Sequence, residues 1–487
     1  DCMISEEGKT YEFTKVDLSK DMKIEVFKQI LVHEGEKTDA IVEGAEFTVY
    51  RDAACTNKVC VIGPTDANGY AISAGTMRTG TYYLKETKFP VGINPDAKVP
   101  GENVTYKDKV YSVTYDNTQQ GTEQVTVPLT VKNEPKRNDI EIFKRIGATS
   151  NTTEAPLDKC EFTATLKSSI GTDAVFSRKC TAETDRNGYC IIEDLPYGDY
   201  VIEETKVSPI SLKCDNFDIN IKEDQKVQTT PYSKNIVDEP KVMQIKMRKV
   251  DANRKDTDAP DFTQGDGVLK GAIYQIFRYD PQTDDYTEPV YEITVDHQDA
   301  DGYWCAESKD LLVGKYMVKE KISHTEEVDG KTYDYSYAEG YLADPQTYYF
   351  EQRPDLQTVE RSYHADTSKE EVIRGSVEVI KYDNDVGETD ETAAEGAILR
   401  LTLNSDPSKY YDVTINEFGY GEFVEEESRD KYYPHTIPYG EYTITEVKES
   451  NAKEHTSFFI HPEPVTISKQ VQKEYRIEAD EPVEMYL

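Results

Sequence analysis

Five short signals recur in the same order four times along the chain, and that repeat limits the possible folds more than any other feature of the sequence. Each copy spans roughly a hundred residues, long enough for one core and too short for two. The first signal is a run of alternating apolar residues that ends in Lys. It reads Ile24, Val26, Lys28, then Ile140, Ile142, Lys144, then Ile245, Met247, Lys249, then Val377, Val379, Lys381. Alternation of period two makes each run a β-strand and puts each Lys on the strand's apolar face.

A second strand follows at Gly44–Tyr50, Cys160–Leu166, Gly271–Phe277 and Gly396–Leu403, again with alternate residues apolar. The third signal is a turn of Asp or Asn, two residues and Gly-Tyr, at Asp66–Tyr70, Asp185–Tyr189, Asp299–Tyr303 and Asn416–Tyr420. The fourth is a strand reading Tyr, any, aliphatic, any, Glu: Tyr82 to Glu86, Tyr200 to Glu204, Tyr316 to Glu320 and Tyr442 to Glu446. Parity turns each Glu inward with the aliphatic residue. A closing strand carries Val127, Leu129, Val131 and Asn133 on one face before Glu134-Pro135, and Ile236 and Asp238 before Glu239-Pro240.

These signals divide the chain into an extended segment, 1–21, and four modules at 22–135, 136–241, 242–374 and 375–487. Asn133 precedes Lys144 by eleven residues and Asp238 precedes Lys249 by eleven, so one module's last strand runs almost directly into the next module's first. Such short connections predict an elongated rod of all-β modules rather than a flexible string. Tyr is abundant, at 35 residues against one Trp, which suits half-buried strands better than helices.

A net charge of −37 repels phosphates and anionic lipid, which excludes nucleic acid as a partner. No run of about 18 apolar residues is present, so direct membrane insertion is not expected. No leader precedes Asp1, and the chain reads as a mature or trimmed ectodomain.

Lys, Glu and Asn on one inner face have a chemistry of their own. Burial removes the solvation of a Lys charge and favours the neutral, nucleophilic amine, while it favours the protonated form of a Glu. A protonated Glu86 bonded to the side-chain carbonyl of Asn133 polarises its carbon for attack by the Lys28 amine, then shuttles protons as ammonia leaves. With Asp238 or Asp480 as acceptor the leaving group is water, and burial must keep that Asp protonated. The product is an amide crosslink made once per module, which is maturation rather than turnover. A buried salt bridge is the competing reading of any one pair. Recurrence of the pair in four modules, with an acceptor of the right parity in two, favours the crosslink.

At these residues the chain resembles the Cna B-type, prealbumin-like (SpaA-type) modules of Gram-positive surface adhesins and sortase-assembled pilins, over about 22–487. The resemblance implies tandem immunoglobulin-like β-sandwiches in which a first-strand Lys bonds an Asn or Asp of the last strand beneath a Glu of a middle strand. Carried over, the sets are Lys28, Glu86, Asn133; Lys144, Glu204, Asp238; and Lys381, Glu446, Asp480. The stretches YYLKETK and YVIEETK match the family's Glu-box, and Asp480-Glu481-Pro482 copies the Asp-Glu-Pro of module two. Ile477 falls on the opposite face, so a bulge is needed to bring Asp480 inward. Module three keeps Lys249 and Glu320, but eleven residues before Lys381 stands Glu370. Its acceptor is therefore missing or elsewhere, with Asp366 as the alternative, and this module is expected to be uncrosslinked. Neither an LPxTG-like signal nor a pilin-type Lys motif is evident, which leaves trimming, cleavage or another mode of anchoring open.

Cysteines cluster by module, Cys55 with Cys60 and Cys160 with Cys180, Cys190 and Cys214, which predicts disulfides and an oxidising compartment. Cys2 and Cys305 are left unassigned. The spacings lack CxxC pairs and the seven His lie elsewhere, so no metal is expected. The acidic runs at 299–301 and 383–385 do not complete an EF-hand loop. Asn103 and Asn151 head sequons that carry little weight in the bacterial family the chain resembles. No Ser-His-Asp set, phosphate loop or dinucleotide fingerprint is present, so neither an enzyme nor a cofactor is expected. The leading expectation is a non-enzymatic, extracellular stalk or pilus subunit, attached at the cell surface or wall. Its partners would be neighbouring subunits or a tip protein. The alternative is an adhesin that grips a host glycan or matrix protein through module three, whose loop at Tyr333–Tyr349 is rich in Tyr.

Overall fold

The alternating runs fold as the strands they predict. The structure, a computed structural model, describes residues 21–115, 124–221, 231–328, 330–357, 360–383, 392–423, 436–448, 463–468 and 476–477. Apart from two single-turn 3-10 segments, Tyr106–Asp108 and Lys167–Ser169, the described regular structure is β. The chain forms two compact units, one of 1–147 with 155–239 and one of 148–154 with 240–487.

In the first unit, the strand Asp21–Ile30 alternates buried and half-buried residues through Met22, Ile24, Val26 and Lys28. It pairs antiparallel with Tyr70–Ile72 and Met77–Arg78, and parallel with Val125–Asn133. A second sheet orders Lys58–Ile62, Glu46–Tyr50, Gly80–Lys88 and Val110–Tyr115 side by side. The inner faces of both sheets supply one core, in which Ile24, Val26, Phe47, Val49, Tyr82, Leu84 and Val131 are buried. Two sheets with one shared apolar layer make a β-sandwich.

Module two repeats the plan. Arg137–Ile146 pairs parallel with Tyr232–Asp238 and antiparallel with Tyr189–Pro196, opposite a sheet of Ser177–Lys179, Glu161–Leu166, Asp199–Lys206 and Phe217–Asn220. In the second unit, Val242–Asp251 pairs parallel with Arg361–Glu370 opposite the sheet built on Ile273–Asp280 and Lys315–Glu320. Module three adds a hairpin, His324–Val328 with Lys331–Tyr335. Module four retains Val377–Ile380 beside Tyr420–Phe423 and Arg476–Ile477, opposite a sheet built on Ile398–Leu403 and Gly440–Lys448. The described residues therefore form tandem prealbumin-like β-sandwich modules, as the repeat predicts.

Two local devices recur with the repeat. The Tyr of each fourth-signal strand is buried and donates its hydroxyl to the carbonyl four residues upstream: Tyr82 to Arg78, Tyr200 to Pro196, Tyr316 to Leu312 and Tyr442 to Pro438. That bond ties each Glu-bearing strand to the turn that enters it. The Asp or Asn of the third signal caps its own turn, Asp66 Oδ1 accepting from the Asn68 and Tyr70 amides and Asp185 Oδ1 from those of Asn187 and Tyr189.

Candidate functional site

Register brings the Lys, the Glu and the Asn or Asp of a module together. In module one Lys28 lies opposite Val131 across the parallel pair, and Asn133 follows two residues later on the same face. Lys144 lies opposite Ile236, with Asp238 two residues on. Across the sandwich, Phe47 pairs with Glu86 and Phe162 with Glu204, which puts each Glu above the Lys of the other sheet. The Gly turn completes the clamp. The Lys28 and Lys144 amides donate to the Gly69 and Gly188 carbonyls at 2.7 Å, and a Cβ at either glycine would strike the carbonyl oxygen of that Lys. Both glycines also hold positive φ, +79° and +74°, so only Gly fits there without strain.

In module one, Lys28 Nζ lies 3.2 Å from Glu86 Oε1, and Asn133 Nδ2 donates to Glu86 Oε2 at 2.8 Å. The side chains of Lys28 and Glu86 are wholly buried, as is Asn133. Burial lowers Lys28 to about 8, against the opposing pull of Glu86, and raises Glu86 above the usual carboxylate range. Asn133 Oδ1 is buried without a hydrogen-bond partner. Amide O and N are told apart by their partners. With a protonated Glu86 the amide turned by half a revolution would satisfy Oδ1, and that is the arrangement that activates its carbon.

In module two, Lys144 Nζ lies 3.3 Å from Glu204 and in contact with Asp238, all three side chains being buried. Ser211 donates to Asp238 Oδ2 at 3.0 Å and the Cys214 amide to Glu204 Oε2 at 3.1 Å. Burial pulls Lys144 down, but the hydrogen bond and charge of Asp238 more than offset it, and the ammonium stands above its ordinary value. Asp238 is raised by burial. The proton shared by this pair decides whether the amine is free to react.

Module three holds Lys249 Nζ 3.3 Å from Glu320 Oε1, again with both side chains buried. Asp366 does not join them. It lies opposite Met247 and is exposed, whereas Glu370 contacts Lys249 Nζ with its side chain fully buried. Asp366, Ser368 and Glu370 share one parity, so alternation does not separate them; position along the strand does, with Ser368 and Glu370 buried at its end and Asp366 exposed before them. In module four Lys381 Nζ lies 3.2 Å from Glu446 Oε1. Asp480, Cys2 and the segment 1–20 lie outside the described residues.

The seven described cysteines are not bonded to one another in this structure. Cys160, Cys180 and Cys190 are buried and pack as small apolar side chains, with the Cys180 and Cys190 sulfurs 3.4 Å apart. The Tyr-rich loop of module three is mostly core: Tyr333, Tyr335, Tyr341 and Tyr348 are buried, and only Tyr337 and Tyr349 are exposed. Alternation turns Tyr333 and Tyr335 inward along the strand Lys331–Tyr335, and Tyr348 inward along Thr347–Glu351.

Three groups of metal-type ligands occur among the described residues, and each already holds a protein cation. Arg137 bonds Glu36 and Asp194, Lys144 joins Glu204 and Asp238 beside Cys214, and Lys246 bonds Glu307 beside His297 and Cys305. The residues that sequence reasoning missed are Ser211, Ser336 and Tyr274, and Glu370 stood at the acceptor position but was set aside for its residue type. Among the missed residues Tyr274 alone left a signal, since it stands where modules one and two have Phe.

The comparisons with known proteins agree with this plan. Residues 29–119 and 145–235 match the model of the SpaA prealbumin-like fold domain. No curated protein matches. Among solved structures, the Bacillus anthracis TIE protein is 20% identical with a TM-score of 0.44, the match covering 72% of this chain and 51% of that one. The chain thus spans about half the length of that protein. BcpA, the major pilin subunit of Bacillus cereus, is 15% identical with a TM-score of 0.29, over 72% of this chain and 99% of that one. The shaft pilin SpaA from Lactobacillus rhamnosus GG is 13% identical with a TM-score of 0.18, over 45% and 98%. Repeat, register and family match coincide, and residues 29–119 and 145–235 each match the SpaA prealbumin-like fold domain, one after the other along the chain.

Proposed function

We propose that this chain is a structural subunit of an extracellular surface fibre or stalk, whose modules crosslink themselves through Lys28–Asn133 and Lys144–Asp238 amide bonds promoted by Glu86 and Glu204. One observation carries the reading: the buried Lys–Glu pair recurs at one register in four modules, with an acceptor two residues beyond the partner of Lys wherever the last strand is described that far. A solvated charge pair has no reason to keep that register, and an isolated buried pair adds little stability for its cost.

The chemistry follows from the pKa directions. A Lys28 held near 8 yields neutral amine at modest pH, and Glu86 held high supplies the proton that polarises Asn133. Nζ bonds to Cγ of Asn133, the C–N bond to its amide nitrogen breaks, and ammonia leaves. In module two Nζ bonds to Cγ of Asp238 and water leaves. Each bond ties the first strand to the last. Tension entering by one and leaving by the other then bypasses the hundred or so residues between, which is what a fibre under load requires. The domains at 29–119 and 145–235 and the pilin names among similar folds point the same way.

Peptide mapping of the full chain, with thiols reduced and capped, tests this reading. Lys28 joined to Asn133 with the mass of one ammonia lost, and Lys144 joined to Asp238 with one water lost, are expected. Unlinked peptides at both sites would sink it. Pulled by its ends, a crosslinked module should release no length up to forces that rupture covalent bonds.

A further inference from the structure

Module three lacks the Asn or Asp of modules one and two, yet its last strand keeps their register. Lys249 lies opposite Ser368 and Glu370 follows two residues later, the place that Asn133 and Asp238 hold. Glu370 is 0% exposed and one oxygen contacts Lys249 Nζ. The other, Oε1, accepts from the Tyr274 hydroxyl at 3.1 Å and from Ser368 at 3.4 Å. Tyr274 is fully buried and pairs with Glu320 across its sheet, where Phe47 pairs with Glu86 and Phe162 with Glu204. The module that changes its acceptor therefore also gains a hydroxyl aimed at it.

We infer that module three closes its own crosslink, an amide between Lys249 Nζ and Glu370 Cδ, with Glu320 as proton shuttle and Tyr274 as the donor that stabilises the oxyanion. The inference rests on the self-crosslinking read for modules one and two and extends it to a Glu acceptor. Neutral Lys249 attacks Cδ, and the negative charge that develops on Oε1 meets the Tyr274 hydroxyl. Nζ gives its surplus proton to Glu320, which returns one to the departing hydroxyl. The N–C bond forms, the C–O bond breaks and one water leaves, with no other reactant. Burial supports this by holding Lys249 down at about 8. Ser336, bonded to Lys249 Nζ at 3.3 Å and in contact with Glu320, and the Asp344 amide, which donates to Glu320 Oε2 at 2.9 Å, hold the shuttle in place.

The test is peptide mapping of the same full-length chain. A 249–370 linked peptide lighter by one water is expected. Modules one and two linked while Lys249 is free, or joined to Asp344, would overturn the inference and leave the reading of those modules standing; no link at any site would overturn both. Glu370→Gln should give the same linked product with ammonia lost instead, and a free Lys249 there would also count against it. Tyr274→Phe restores the residue of modules one and two, so the fold should tolerate it. In chain made by cell-free synthesis and quenched at intervals, it should slow the 249–370 link by ~10²-fold and leave the 28–133 link unchanged. An unchanged rate at 249–370 would remove Tyr274 from the reaction.

Discussion

Modules one and two place Lys and Glu at the same register and the same depth, yet their surroundings shift the two amines in opposite directions. Beside neutral Asn133, burial dominates and Lys28 falls to about 8. Beside Asp238, charge and hydrogen bonding dominate and Lys144 rises above its ordinary value. The difference teaches that the Lys–Glu pair sets the geometry, while the acceptor sets how much free amine exists at a given pH. Module one should mature faster near neutral pH, because module two must first move its proton from Lys144 onto the carboxylates.

The largest effect that breaks the comparison is loss of the bond itself. Each proposed crosslink would close a loop of about a hundred residues, so Lys28→Met and Lys144→Met should each destabilise the module concerned by about 4–5 kcal/mol. Hydrogen exchange on the strands Asp21–Ile30 and Arg137–Ile146 reads each module separately. The two losses should match, since the loops are of nearly equal length. A much smaller loss in module two would mean that its buried ion pair, and not a bond, joins Lys144 to Asp238.

A second test keeps Lys and acceptor and removes only the shuttle. Glu86→Gln and Glu204→Gln should leave both modules unlinked, and their stabilities should then diverge with pH. Burial holds Lys28 at about 8 even with Glu86 pulling it up, so without that charge the unlinked Lys28 lies lower still in the folded module, and between pH 8 and 10.5 the unfolded chain alone binds its proton. Stability of module one therefore rises with pH across that window, by about 3 kcal/mol at most. Lys144 stands above 10.5 while Asp238 faces it. Its contribution is fully present below 10.5 and is lost as pH climbs through the folded value, so module two gains nothing over the same window. Exchange protection measured between pH 8 and 10.5 should rise in one module only.

The β-sandwich plan, the four Lys–Glu pairs and the place of Asn133 and Asp238 beside two of them were legible because period two in a strand states which face a residue takes. Period two does not state depth or reach across the sandwich. Tyr333, Tyr335, Tyr341 and Tyr348 therefore read as recognition surface although they are core. Glu370 was passed over on residue type, although its parity was that of Asn133. Clustering of cysteines along the chain likewise says which module holds Cys55 and Cys60 and not whether their sulfurs meet. The Gly69 and Gly188 turns were found as turns, but that they press on the carbonyls of Lys28 and Lys144 appears only once the strands are paired.

The smallest effect separates fold from chemistry within the same comparison. Tyr82 and Tyr200 each hold a carbonyl four residues upstream, at 2.9 Å to Arg78 and 2.7 Å to Pro196, and neither hydroxyl touches the reactive set. The bond to Arg78 is partly exposed, so in Tyr82→Phe water can take the place of the hydroxyl and the loss should be about 0.5 kcal/mol. The bond to Pro196 is buried, so Tyr200→Phe strands a carbonyl and should cost about 1–2 kcal/mol. Both variants should still form their crosslinks in full, because Glu86 and Glu204 remain over Lys28 and Lys144. If Tyr200→Phe lowered the yield of the 144–238 link as well as stability, the hydroxyl would be a positioning group for Glu204, and the corner and the crosslink would be one device rather than two.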